Sequence, residues 1–154
     1  MISAPSLYSP PSPSLMLLTV KVFTRLKHRG YLDSLPLKVY NTYSRKLEVF
    51  TPITEGLVKM FVCGPTVYDY LHLGHARTYI FYDVVARYLK YLGYKVNFII
   101  NITDIDDKIF EKAKKERRRA SEIASKYKEA CIQDLRRIGV DSVTLFAQAS
   151  AYLP

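Results

Sequence analysis

Cysteines, acidic residues and long apolar runs are all scarce in this sequence, and each scarcity excludes a class of protein. Only 2 cysteines occur among the 154 residues, which argues against a disulfide framework and favours a reducing, cytoplasmic location. No run reaches the roughly 18 apolar residues that a membrane-spanning helix requires, so we expect no membrane partner. The 14 acidic residues are outnumbered by 23 Lys and Arg, giving a formal net charge of +9. This excess favours a polyanionic partner, either nucleic acid or the phosphates of a nucleotide.

The first residues are rich in proline and serine and predict no packed structure. Residues 1–14 contain four prolines and five serines, a composition typical of disorder. The segment that follows is apolar and then basic, with no acidic residue before Asp33. Three alternatives stay open for it: a transit peptide, a non-structural extension, or a true start at Met16. We interpret residues 1–36 as a disordered or non-homologous extension and give His28 no role.

Ordered structure is predicted over residues 37–154. Residues 37–42 and 46–53 are rich in strand-forming residues and are separated by a short polar turn, which predicts a β-hairpin. Residues 57–63, with the sequence LVKMFVC, form a mostly apolar run that ends at a Gly-Pro pair. Such a run predicts a buried strand.

A helix and then a second strand are predicted next. Apolar residues recur at helical spacing from about Leu73, and Gly93 is well placed to end the helix. Residues 95–101, KVNFIIN, form a second apolar run. Strand, helix and strand make a βαβ unit with parallel strands, so we predict an α/β, Rossmann-like sheet. The face of the helix predicted to be buried consists of Ile80, Phe81, Val84, Val85, Tyr88, Tyr91 and Leu92.

Two further helices are predicted after the second strand. Thr103 or Asp104 is expected to cap the first of them, and the acidic residues of TDIDD suit its first turn better than a magnesium site. The basic run from Lys108 to Arg119 predicts a solvated helical face, or alternatively a surface near nucleic-acid phosphate. The last helix, at about residues 121–138, carries one apolar stripe that is expected to lie in the core: Ile123, Tyr127, Cys131, Leu135 and Ile138.

The stretch from Cys63 to Arg77 holds the residues best suited to chemistry. His72 and His75 flank Gly74 at the predicted helix start, beyond the carboxyl end of a strand, where open α/β sheets bind ligands. Imidazoles there can donate hydrogen bonds to phosphate oxygens, and glycine permits close approach of a base or phosphate. The sequence contains no G-x-x-x-x-G-K loop. The alternatives are a His-x-x-His metal pair and histidines satisfied by solvent, while a lone cysteine is more often a buried apolar residue.

Two segments in combination resemble one known family. The stretches CGPTVYDYLHLGHARTYIFYDVVARYL and NFIINITDIDDKI closely resemble the catalytic domain of cysteinyl-tRNA synthetases, which are class I enzymes. The segment His72-Leu73-Gly74-His75 matches the HIGH motif of that class, with Leu in place of Ile. The likeness covers about residues 37–154, and residues 1–36 have no counterpart. It implies the first half of a Rossmann-like (HUP-type) nucleotide-binding parallel sheet, preceded by a β-hairpin.

The resemblance also implies an activity. Members of the family activate L-cysteine with ATP, which is bound with Mg²⁺, to give cysteinyl-adenylate, and then transfer the cysteinyl group to tRNA(Cys). By resemblance, His72 and His75 are catalytic, and together with Gly74 they bind ATP.

A cysteine pocket and a metal ligand follow from the same resemblance. Gly64, Thr66 and Thr103 match positions that line the cysteine pocket of the family. Cys63 matches a zinc ligand, and Zn²⁺ prefers thiolate to hydroxyl, which distinguishes cysteine from serine.

The sequence departs from the family pattern in its extent. The family's other zinc ligands, the second half of the nucleotide fold, the K-M-S-K-S loop and the anticodon-binding helices would all lie beyond Pro154. We therefore expect an N-terminal fragment that is inactive alone. One partner considered for it is the C-terminal part of the enzyme, made as a separate chain. Two alternatives remain: a ligase that joins cysteine to an amino sugar, and a non-catalytic module that binds protein or RNA.

Overall fold

The computed structural model describes residues 36–152. The extension predicted for residues 1–36 therefore lies, apart from its last residue, outside the described residues. The described residues fall into two compact units that divide between Thr51 and Pro52. The described part of the first unit is a hairpin, and the second unit contains a parallel sheet with its helices.

The predicted β-hairpin is confirmed. Strand β1 (Lys38–Asn41) pairs antiparallel with strand β2 (Lys46–Val49). Two polar residues shape the turn between them. Asn41 Oδ1 accepts the backbone N–H of Tyr43 at 2.9 Å, and Arg45 adopts a left-handed backbone with φ 57°. A side-chain acceptor of this kind satisfies a turn N–H that has no strand partner.

The predicted α/β fold is also confirmed. Strands β3 (Leu57–Val62), β4 (Lys95–Ile102) and β5 (Leu145–Gln148) form a parallel sheet in the order β3-β4-β5. The first two strands coincide with the predicted apolar runs. Strand β5 was not predicted, because its four residues end in a polar glutamine and give no long apolar run.

The two faces of the sheet differ in burial. Along β4, the alternate residues Val96, Phe98, Ile100 and Ile102 are all buried, whereas the residues between them are only partly buried or exposed. On this second face, the strand register aligns Phe61 with Ile99 and Ile99 with Leu145. Phe61 is 67% exposed and Leu145 is 43% exposed. The second face therefore carries an apolar row that spans all three strands.

The described residues include three α-helices and one short 3₁₀-helix. Their bounds are Leu73–Tyr91 for α1, Asp107–Glu116 for α2, Ala120–Arg137 for α3 and Ala149–Tyr152 for the 3₁₀-helix. Within residues 36–152, none of the helices combines the length and the apolar character needed to cross a lipid bilayer.

The N-terminal cap of α2 is not the predicted one. Asp106 is the cap, and its Oδ1 accepts the backbone N–H of Lys108 at 2.9 Å. Thr103 instead pairs with Thr66 across the sheet. Asp104 accepts hydrogen bonds from residues near the end of the described chain, which are given below. The prediction was wrong because several acidic residues follow one another, and only the backbone geometry selects the one that caps.

The buried face of α1 also differs from the prediction. Four of the seven residues expected to be buried are exposed: Ile80, Phe81, Val84 and Tyr88. The residues that face the core are Tyr79, Asp83, Ala86 and Leu89. Asp83 places a charged residue in the middle of this buried face. The apolar periodicity of the sequence therefore predicted that the neighbouring face of the helix would be buried instead.

Asp83 is tolerated in the core because it is fully partnered. Its carboxylate accepts hydrogen bonds from Arg87 Nε at 2.5 Å and from the backbone N–H of Ser142 at 2.7 Å. Arg87 also donates to the carbonyl of Gly139 at 2.8 Å. Burial alone would raise the pKa of Asp83, but these donors outweigh burial and hold the pKa below its usual value. The pair fixes α1 to the segment that follows α3.

The apolar stripe of α3 is confirmed except at its end. Its buried residues are Ile123, Ala124, Tyr127, Cys131 and Leu135. Burial raises the pKa of the Cys131 thiol to about 12, with a smaller contribution from Asp134. Cys131 is therefore the core residue that the sequence predicts, whereas Ile138 is 42% exposed.

Candidate functional site

The parallel pairing of β3 and β4 continues past the ends of both strands. Thr66 forms an isolated parallel bridge with Thr103. The backbone N–H of Thr103 donates to the Pro65 carbonyl at 3.1 Å, and the N–H of Val67 donates to the Thr103 carbonyl at 3.1 Å. Two of the predicted cysteine-pocket residues, Thr66 and Thr103, are thus held side by side at the carboxyl end of the sheet.

Gly64, the third predicted pocket residue, packs directly against β4. A Cβ atom built on Gly64 would lie 1.4 Å from the carbonyl oxygen of Asn101. The Gly64 N–H donates to Asn101 Oδ1 at 2.7 Å, and Asn101 Nδ2 lies 3.4 Å from Thr103 Oγ1. Asn101 therefore ties two of the predicted pocket residues together. Asn101 was not among the residues predicted for the site, although a polar residue at the end of an apolar strand was the available signal.

Cys63 is exposed at the end of β3. Its carbonyl accepts a hydrogen bond from the hydroxyl of Tyr79 on α1 at 3.2 Å. Burial raises the pKa of Tyr79, so this hydroxyl keeps its proton and the hydrogen bond at neutral pH. Exposure leaves the Cys63 thiol accessible to a metal ion or a ligand.

A complete zinc site is not assembled by the described residues. Structural and catalytic zinc sites use three or four protein ligands. No group of three or more His, Cys, Asp or Glu within residues 36–152 could hold a metal ion. The exposed Cys63 offers one free thiol, and the described residues do not supply a whole zinc site.

His72 and His75 cap the start of α1 reciprocally. His72 is the N-cap residue, and its Nδ1 accepts the N–H of Gly74 at 3.1 Å. His75 Nδ1 accepts the N–H of His72 at 3.2 Å. This is a capping box in which histidines replace the usual Ser/Thr and Glu/Gln pair. Since both Nδ1 atoms accept hydrogen bonds, each neutral ring carries its proton on Nε2, which remains a donor.

The two histidine rings lie close together. Their centroids are 3.9 Å apart, with an angle of 35° between the planes. Burial lowers the pKa of His75, and the neighbouring charge of His72 lowers it further. Gly74 makes this packing possible, because a Cβ on Gly74 would lie only 2.9 Å from His72 Cε1.

An open cavity of about 360 Å³ lies beside the histidine cap. It brings together Thr66, His72 and His75 from the predicted site and adds Lys108. Its lining residues are Pro65, Thr66, Tyr68, Asp69, Tyr70, Leu71, His72, His75 and Lys108. Four other predicted site residues do not line it: Cys63, Gly64 and Thr103 lie at the strand ends, and Gly74 lies within the cap.

The loop that forms one wall of this cavity is fixed by α2 and α3. Asp69 accepts a hydrogen bond from Lys112 Nζ at 3.2 Å. The pKa of Asp69 is lowered first by the backbone N–H of Tyr70 and next by Lys112. The ring of Tyr70 meets the ring of Tyr127 edge-on, with the centroids 5.1 Å apart.

Asp104, the first acidic residue of TDIDD, has a structural role. It accepts hydrogen bonds from Gln148 Nε2 at 2.7 Å and from the backbone N–H and hydroxyl of Ser150 at 2.9 and 2.5 Å. Burial acts to raise the pKa of Asp104, but the Ser150 and Gln148 donors outweigh it and lower the pKa. These contacts agree with the prediction that the acidic residues of TDIDD form a cap and turn and not a magnesium site. The cap itself is Asp106.

A three-stranded parallel sheet whose strand ends meet a histidine-capped helix defines a Rossmann-like α/β domain. The family model for the catalytic domain of class I tRNA synthetases of the cysteine type matches residues 49–154. The chain belongs to this cysteinyl-tRNA synthetase family.

Individual relatives agree with the family model. The chain is 51% identical over 114 residues to the cysteine–tRNA ligase of Microcystis aeruginosa, and the aligned residues make up 74% of this chain and 24% of that protein. It is 50% identical over 115 residues to the cysteine–tRNA ligase of Thermoplasma volcanium, and the aligned residues make up 75% of this chain and 25% of that protein. For the cysteine–tRNA ligase of Pyrococcus horikoshii the identity is 44% over 117 residues, covering 76% and 25%. The chain thus spans about a quarter of the length of these relatives.

Proposed function

We propose that this chain forms part of an enzyme that activates L-cysteine with ATP and transfers the cysteinyl group to tRNA(Cys). The observation that carries the proposal is the histidine capping box, which leaves two Nε2–H donors at the N-terminus of a 19-residue helix beside an open cavity. Membership of the family and relatives that are named as cysteine–tRNA ligases support it.

In the activation step, a carboxylate oxygen of cysteine attacks the α-phosphorus of ATP, and the bond to pyrophosphate breaks. Negative charge builds on the phosphate oxygens as this happens. In our proposal, His72 and His75 donate their Nε2–H groups to these oxygens, and the positive end of the α1 dipole adds to the stabilisation. Neutral rings can perform this role because the donor hydrogen is present without protonation, which agrees with the lowered pKa of His75.

The cysteine substrate is proposed to occupy the strand ends next to this helix. Gly64, Thr66 and Thr103 would line its pocket, since the bridge between the two threonines and the Asn101 side chain hold them in one place. Cys63 would supply one thiolate ligand to zinc, with the other ligands coming from outside the described residues. Bound zinc would distinguish the cysteine thiolate from the serine hydroxyl. We also propose that the protein acts in the cytoplasm, as expected from the sequence.

Cysteine-dependent exchange of pyrophosphate into ATP tests the activation step. We would measure it for the chain alone with zinc, and for a chimera in which the Microcystis relative supplies the remaining residues. Exchange by the chimera with L-cysteine but not with L-serine is expected, and replacement of His72 or His75 by alanine should lower it by about 100-fold or more. Absence of exchange by the chimera would contradict the proposal and favour a non-catalytic binding module.

Charging of tRNA tests the second step. The chimera should form cysteinyl-tRNA(Cys), which can be followed by acid gel electrophoresis of the tRNA. Exchange without any charging would favour transfer to an acceptor other than tRNA, as in the amino-sugar alternative.

A further inference from the structure

One lysine lines the cavity beside the histidine cap. Lys108, in the first turn of α2, is the sole Lys or Arg among the nine lining residues. Its backbone N–H donates to the cap residue Asp106, and its Nζ lies 5.4 Å from the centroid of the Tyr68 ring. A cation over an aromatic ring keeps its hydrogen-bond donors, because the ring accepts none of them in full.

The charge of Lys108 is not balanced inside the cavity. Among residues 36–152, no carboxylate lies within 4.0 Å of its Nζ, whereas Lys112 and Lys126 both have carboxylate partners. Asp69 is the one carboxylate among the nine described lining residues, and it is paired with Lys112 at 3.2 Å. The cavity therefore combines an uncompensated ammonium group with the positive end of the α1 dipole.

We infer that Lys108 binds the β- and γ-phosphates of ATP, the part that leaves as pyrophosphate. This inference rests on the proposed function, in which His72 and His75 contact the α-phosphate. The leaving pyrophosphate gains negative charge as its bond to the α-phosphorus breaks, and an ammonium group stabilises that charge. Lys108 reaches the cavity from α2, while the histidines reach it from α1. The triphosphate would then lie between the two helix starts.

Titration of the full 154-residue chain with inorganic pyrophosphate at constant ionic strength tests the inference. Binding can be followed through the ring Cε1–H signals of His72 and His75 in ¹H–¹³C spectra. In the wild type, pyrophosphate should shift both signals in a saturable manner. Lys108→Gln should weaken this binding by about 10-fold or more, the effect of losing one hydrogen bond to a charged group. Lys108→Arg should retain most of the affinity because it keeps the cation.

Lys114→Gln is the matched control. Lys114 is also exposed on α2, and its replacement removes the same charge, but it does not line the cavity. It should leave pyrophosphate binding close to that of the wild type. The thermal unfolding of both glutamine variants is compared, so that loss of binding is not confused with loss of folding.

Each other outcome overturns a defined part of the inference. If Lys108→Gln and Lys114→Gln bind pyrophosphate with equal affinity and the histidine signals still shift, Lys108 does not belong to the site. Phosphate binding by His72 and His75 would then still stand. No saturable shift in the wild type would overturn phosphate binding by this cavity, including the role of Lys108. The exchange assay described above reports on the proposed function separately.

Discussion

Replacing Gly64 by alanine should break the join between β3 and β4. The added Cβ would lie 1.4 Å from the carbonyl oxygen of Asn101, 2.6 Å from its carbonyl carbon and 3.0 Å from Ile100 Cγ2. Close carbon–oxygen contacts between strands are normally about 3.3–3.6 Å, so the two backbones must separate by roughly 2 Å. No rotation of a side chain can relieve this overlap, because the atoms met first belong to the main chain.

The expected loss of stability is large for a single methyl group. Separation of the strands removes the hydrogen bond from Gly64 to Asn101 and strains the two backbone bonds that join Pro65 and Val67 to Thr103. Lost hydrogen bonds contribute about 0.5–1.5 kcal/mol each and steric strain about 1–3 kcal/mol. The lower entropy of the unfolded alanine chain offsets only about 0.4–1 kcal/mol. With all three hydrogen bonds counted as lost, we expect the free energy of unfolding to fall by about 1.5–7 kcal/mol, and the upper part of this range is enough to unfold a marginal domain.

Urea denaturation followed by circular dichroism at the helix band measures this loss. Gly93→Ala is the control, since Gly93 has a left-handed backbone with φ +95° but a Cβ there would meet no atom within 4 Å. The control should lower the free energy of unfolding by about 1–2 kcal/mol, because alanine is strained in the left-handed conformation. If Gly64→Ala proves as stable as the wild type, or more stable than Gly93→Ala, the steric reasoning is wrong.

Three further predictions follow from the site and the core. Burial, and secondarily His72, lowers the pKa of His75 from 6.5, so the folded chain binds this proton less readily than the unfolded chain. Its contribution to stability is complete above about pH 6.5 and is lost as the pH falls through the lower folded-state pKa. His75→Gln should flatten this dependence of stability on pH below about pH 6.5 while keeping the cap. Ellman's reagent should modify one thiol in the native chain, the exposed Cys63, and a second thiol, Cys131, only after denaturation. Asp83→Asn should lower the free energy of unfolding by about 1–3 kcal/mol, because Arg87 loses a charged partner.

Each of these predictions has an outcome that contradicts it. An unchanged pH dependence in His75→Gln would mean that the cap does not hold a neutral imidazole. Rapid modification of two thiols under native conditions would mean that α3 does not bury Cys131. For Asp83→Asn, the control is Asp134→Asn, whose partner Arg137 is 74% exposed and whose pair should contribute little. Equal stability of these two variants would show that burial adds nothing to the Asp83 pair.

Local patterns were sufficient to predict most of the elements. The hairpin, two of the three parallel strands, and helices α1 and α3 all lie where periodicity and turn residues place them. The face of α1 was predicted wrongly because periodicity treats every carboxylate as a surface group. The buried Asp83 accepts a hydrogen bond from the backbone of Ser142, a residue 59 positions away, and no window of local sequence contains both partners.

The candidate site shows the same division. Residues identified by a short motif, His72 and His75, do meet at one cavity. Asn101 and Lys108 were not assigned to the site, because their contribution depends on how two strand ends and two helix starts come together in space. The acceptor role of both Nδ1 atoms was also beyond the sequence, which favoured the imidazoles only as donors.

The reciprocal histidine cap has a consequence for the timing of site formation. The same two rings that line the cavity also cap the first turn of α1, so formation of the capped helix orients both of them. Their rotamer freedom is therefore lost during folding and not when a ligand arrives. Ordering a flexible side chain at the moment of binding costs about 0.5–1.5 kcal/mol, and a ligand that meets these rings would avoid that cost for both of them. Folding of the helix and preorganisation of the site are one event.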